Sequence, residues 1–148
     1  MSRKLAVVLA VQLIALVAAV FGPLSAAVTG KTVTLTAVPA DPIDPFRGAY
    51  VALRYPGMPE SVDNGETVFV TLAPTSGANW RITGHVSQRP NKGTYLSCRS
   101  RYGSLSCGIE SLFLPEAKAA AFNARGTYQA AVKVDRWGHA HLVNIVAK

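Results

Sequence analysis

The sequence predicts a mainly β protein carried on one N-terminal transmembrane helix, with an antiparallel β-barrel or sandwich and a single short helix beyond it. Three observations predict this class. An uncharged run opens the chain, seventeen residues from Leu5 to Phe21 broken by one polar side chain, Gln12. After residue 28, short stretches alternate apolar and polar residues with the period of two that places successive side chains on opposite faces of a sheet. Clusters of Gly, Pro, Asn and Asp punctuate those stretches as turns.

Continued through Gly22 and Pro23 to Ala27, the opening run reaches twenty-three residues, and about 20 apolar residues span a bilayer core. Arg3 and Lys4 precede it and the next positive charge is Lys31. The positive-inside bias therefore predicts a cytoplasmic tip and single anchor over residues 1–27. Residues 28–148 become a periplasmic or extracellular domain on the inner membrane. Ser25-Ala26-Ala27 offers the small residues that a signal peptidase reads, but the run exceeds the roughly 7–15 residues of a cleaved leader, which favours retention. Ala15 with Ala19, Ala18 with Gly22, and the amide of Gln12 are features of a helix that packs against another within the membrane.

The strands follow in order. Lys31 to Val38 sets Val33 and Leu35 against Thr32, Thr34 and Thr36. Ala49 to Tyr55 puts Val51, Leu53 and Tyr55 on one face and Tyr50, Ala52 and Arg54 on the other. Thr67 to Ala73 is rich in β-formers, and Trp80 to Val86 alternates again. Pro115 to Asn123 is the helix candidate, with Pro115 at its first position, Glu116 facing the positive end of the dipole, and Gly126 just past Arg125 as terminator. Thr127 to Asp135 and His139 to Ala147 read as a hairpin joined through Arg136-Trp137-Gly138.

Cys98 and Cys107 are the only cysteines. A turn at Tyr102-Gly103 pairs Arg101 with Ser104, Ser100 with Leu105 and Arg99 with Ser106, which leaves Cys98 opposite Cys107. In an exported domain this spacing reads as a structural disulfide; no CxxC pattern supports a redox pair or catalytic thiol.

The most distinctive segment is Asp41 to Tyr55, DPIDPFRGAYVALRY, where prolines set extended geometry and Gly48 permits a sharp entry into a strand. Gly48-Ala49-Tyr50-Val51-Ala52-Leu53-Arg54-Tyr55 resembles the motif of the GDYXXLXY family of small membrane-anchored bacterial proteins. Asp41-Pro42, Asp44, Phe46 and Arg47 look like its lead-in, and Gly108-Ile109-Glu110-Ser111 with Phe113 and Pro115-Glu116 resembles its second block. The resemblance runs from about Lys31 to the C-terminus. It departs at Ala49, where the family has Asp. It implies a polytopic membrane protein as partner and brings no reaction with it.

Composition narrows the function classes. Setting Arg3 and Lys4 aside leaves thirteen Lys and Arg against eight Asp and Glu, an excess of +5 for the exported part. These charges are scattered without interleaved aromatics, which argues against nucleic acid. His139 and His141, with His85 as a third, make a weak metal set that solvated histidines explain as well. No nucleophile elbow, P-loop or HExxH motif occurs. Neither a cofactor nor a metal is expected.

Two readings follow. The first is a non-enzymatic accessory or binding domain that docks through Arg47, Tyr50, Arg54 and Glu110, with an ion pair from Glu110 to Arg47 or Arg54 joining the two blocks. The alternative is a cell-envelope hydrolase using the carboxylates of Asp41, Asp44 and Glu110. The cysteine assignment has a direct consequence: a thiol-reactive reagent should label neither cysteine in folded protein before reduction. Full labelling of both in that state would remove the bridge.

Overall fold

The computed structural model describes residues 3–40, 50–59, 62–101, 104–113 and 126–148. Helix α1 (Arg3–Thr29) precedes β1 (Lys31–Pro39), β2 (Tyr50–Arg54), β3 (Thr67–Pro74), β4 (Asn79–Val86), β5 (Thr94–Arg101), β6 (Ser104–Ser106), β7 (Ser111–Phe113), β8 (Tyr128–Val134) and β9 (Ala140–Ala147). The Arg3–Gly22 part of α1 is long and apolar enough to cross a membrane. The helix expected over Pro115–Asn123 lies outside the described residues.

The mainly β expectation holds, in the form of one sheet curled into a half-barrel. Strand β1 is its pivot. One edge pairs antiparallel with β8 from Lys31–Val134 to Ala37–Tyr128. The other edge is shared: Thr34 and Leu35 pair with Asn79 and Trp80 of β4, while Val38 and Pro39 pair with Arg54 and Leu53 of β2. The β1–β4 pairing is parallel, while the other pairings among the described residues are antiparallel as expected. Alternation of side chains specifies which face is buried but carries no strand direction.

The alternation read in β1 and β2 predicted their buried faces, which β3 joins. Val33, Leu35 and Ala37 of β1, Val51 and Leu53 of β2 with the adjoining Tyr55, and Val68, Val70 and Leu72 of β3 are all buried. Leu96, Val132 and Leu142 meet them from β5, β8 and β9. Each fully buried Val or Leu contributes about 1.5–3 kcal/mol.

The β8–β9 turn is held at both sides. Asp135 N donates to His139 O at 3.0 Å and Gly138 N donates to Asp135 O at 3.2 Å. Ser97 N of β5 in turn donates to Gly138 O at 2.8 Å. Gly138 has φ 85°, a left-handed conformation that side chains disfavour. A Cβ there would also stand 2.7 Å from the Tyr95 ring and 2.9 Å from Ser97 N. Gly138→Ala should therefore destabilise the protein by at least about 1–3 kcal/mol, read as a lowered midpoint in thermal unfolding. An unchanged midpoint would contradict this packing.

Candidate functional site

The motif strand and the second block are sewn together by backbone and side chain. Val51 pairs with Leu112 and Ala52 with Ser111 across β2 and β7. Leu53 N donates to Glu110 O at 2.7 Å, and the buried Tyr55 hydroxyl donates to Ile109 O at 2.7 Å. Burial, assisted by the charge of Glu110, pushes the Tyr55 phenol well above its ordinary pKa, so the hydroxyl remains a neutral donor. Cys98 and Cys107 are disulfide-bonded with Cα atoms 4.2 Å apart, beside the β5–β6 register that pairs Arg99 with Ser106.

Glu110 does not make the ion pair expected of it with Arg54. Its carboxylate accepts hydrogen bonds from Cys107 N and, at 3.0 Å, from Gly108 N. The cause is local. Gly108 has φ 84°, and successive amides beside such a residue converge into an anion-binding concavity. Glu110 fills that concavity and braces the loop behind the disulfide. Arg54 stays exposed. Arg54, Tyr55, Met58, Leu105 and Glu110 line a recess of about 430 Å³. Arg47, Asp41 and Asp44 lie outside the described residues, as does the side chain of Tyr50.

A second cluster forms where α1 meets the β8–β9 turn. The side chain of Asp135 is fully buried and its carboxylate accepts four hydrogen bonds. Trp137 N and His139 N donate to Oδ1 at 2.8 and 2.9 Å. Ser25 Oγ of the helix and His139 Nδ1 reach Oδ2 at 2.7 and 2.9 Å. Burial by itself would raise the pKa of this carboxyl, but the hydrogen bonds from Ser25, His139 and the two amides outweigh it and hold the pKa below the ordinary value. Asp135 is thus an acceptor at neutral pH, and the His139 Nδ1 must carry the proton it donates.

The helix is built into this cluster. Ala26 is fully buried. Lys133 Nζ donates to Ala27 O at 2.7 Å, which places a cation on the negative end of the helix dipole. The Phe21 ring stands edge-on to Trp137 at 5.6 Å and to His139 at 6.4 Å. A Cβ on Gly22 would lie 3.4 Å from the His139 ring, so one member of the Ala18–Gly22 small-residue pair serves the helix–head contact. Sequence reasoning missed Ser25 and Asp135 as partners. Asp135-Arg136-Trp137-Gly138 had the signature of an aspartate-capped turn, but nothing local in sequence ties it to Ser25, 110 residues away.

The carboxylate chemistry here is a brace. Ser25 bonds Asp135 directly and not the imidazole, so the trio lacks the nucleophile–base contact of a hydrolytic triad. Asp135→Asn should cost about 1–3 kcal/mol at neutral pH. Because the folded-state pKa is depressed, the native advantage is complete above the unfolded value near 3.9 and is lost as pH falls below it. Chemical denaturation across acid pH should show the gap between the native protein and the Asn variant narrowing below about pH 4. A gap that does not change with pH would exclude the charge as its source.

No curated protein and no solved structure matches the chain. The profile described as GDYXXLXY protein matches residues 12–145, which takes in the motif strand, the Glu110 loop, the Asp135 turn and the second half of α1. With most of its length covered, the chain belongs to the GDYXXLXY family.

Proposed function

We propose that the chain is a non-enzymatic accessory or binding domain. It is anchored in the inner membrane with its N-terminus in the cytoplasm, and it works outside the membrane beside a polytopic partner. The observation that carries this reading is the continuity of α1, which runs unbroken through Thr29 and bonds the head through Ser25, Ala27 and the buried Ala26. Cleavage after Ala27 would strip a donor from Asp135 and open the face that Ala26 covers. Retention of the helix keeps both. That the family match begins at Gln12 also favours a helix that works together with the head.

A head fixed to its anchor is held at a set height and orientation over the bilayer, which suits docking on a membrane-embedded neighbour. The disulfide accords with an oxidising compartment. The exposed Arg54, beside the recess over Glu110, is the anchor residue assigned to the docking face, since Arg is enriched at interface hot spots. Occupation of both Glu110 oxygens by turn amides favours bracing over acid–base work for that residue.

A photo-crosslinking residue in place of Arg54, activated in native membranes, should yield a discrete adduct with a protein of several membrane spans. The same residue in place of His85, on the exposed face of β4, should not. Arg54→Ala should weaken the association by about tenfold or more. Equal adducts from both positions, or a head recovered as a soluble fragment beginning after Ala27, would overturn the reading.

A further inference from the structure

Where α1 leaves its apolar span, it forms one wall of a groove of about 500 Å³. Phe21, Leu24 and Val28 line it from the helix, and Arg136 and Trp137 close it from the β8–β9 turn. We propose that this groove binds an anionic phospholipid, with the acyl chain against the helix residues and the phosphate on Arg136. The proposal rests on the anchored reading above.

The chemistry of the lining argues for this occupant. The two hydroxyls in the groove are already committed, Ser25 Oγ to Asp135 Oδ2 and Thr29 Oγ1 to Ser25 O. The carboxylate of the adjoining residue, Asp135, is sealed by its four donors. The guanidinium of Arg136 lies over the Trp137 ring at 4.1 Å, and among the described residues no carboxylate pairs with it. An apolar trough with one cation at its rim complements an amphiphile that carries one negative group. A second apolar helix would leave that cation unanswered.

Height agrees with chemistry. At about 1.5 Å per residue, Leu24 stands about 3 Å past Gly22, the end of the twenty-residue span, and Phe21 within that span packs on Trp137 at 5.6 Å. The headgroup layer is about 5–7 Å deep on each side of the hydrocarbon. Arg136 and Trp137 therefore lie at the level where phosphates and aromatic belts are found.

The test uses the full chain reconstituted in phosphatidylcholine vesicles, with and without phosphatidylglycerol, and lipids brominated on the acyl chain as quenchers. Trp137 emission is obtained by difference from Trp137→Phe, which leaves Trp80 as the background. Brominated phosphatidylglycerol should quench Trp137 about fivefold more effectively than brominated phosphatidylcholine, the preference expected of one cation at an anionic surface. Arg136→Gln should abolish the preference and Arg136→Lys should retain most of it. Equal quenching by the two lipids, with the protein still floating with the vesicles, would overturn the lipid site and leave the anchor intact. Failure to float with either vesicle would overturn the anchor as well. Trp137 quenched by neither lipid in floating protein would mean that protein covers the groove.

Discussion

The carboxylate of Asp135 is the constraint from which the arrangement of this molecule follows. A buried charge is tolerated only when donors surround it, and here the four donors come from the turn itself, from His139 and from the helix. Satisfying one side chain thereby closes the β8–β9 hairpin and docks α1 on it. The turn is secured again by the Tyr95 hydroxyl of β5 and by Arg89 from the segment before it, which donate to Arg136 O at 3.1 and 3.2 Å. Of the apolar side chains at this junction, Ala26 is fully buried while Phe21 and Leu24 stay about half exposed. Directional hydrogen bonds therefore set the angle at which the head meets α1.

Beside this turn, where Gly108 closes on Ala140 O, the head uses the same chemistry in a different role. Glu110 also spends its carboxylate on backbone amides, but those amides belong to the loop that the disulfide closes. Covalent closure and anion capture reinforce each other there, and Tyr55 carries the effect into the core through its bond to Ile109 O. The motif strand is in this sense a packing device. Val51, Leu53 and Tyr55 are buried, and among the described side chains of its outer face Arg54 is exposed. Of the acid–base candidates Asp41, Asp44 and Glu110, the described one, Glu110, braces a loop, as Asp135 braces its turn.

The junction also bears on what the apolar helix can do. A flexible tether would leave the head free to tumble, whereas α1 reaches Thr29 without a break and Lys133 caps it from β8. Gly30 makes this approach possible, because a Cβ there would fall 2.2 Å from Ala26 O and 3.0 Å from Val134 N. Surfaces near the turn thereby keep a fixed place relative to α1. This gives Arg136 and Trp137 a defined relation to the end of the apolar span.

Much of this was legible in the chain itself. Period-two alternation identified β1 and β2 and their buried faces, β-forming composition marked β3, turn chemistry delimited the last hairpin, and the run from Leu5 onward marked a helix long and apolar enough to cross a membrane. These are local properties, set by side-chain direction and by the length of apolar sequence, so neighbouring residues suffice to reveal them. The parallel contact of β1 with β4, the turning of Glu110 away from Arg54, and the bond between Ser25 and Asp135 were decided only by tertiary structure. Each depends on which donors happen to converge once distant segments meet. A carboxylate accepts from any amide, hydroxyl or cation within reach, and its composition alone does not say which of them arrives first.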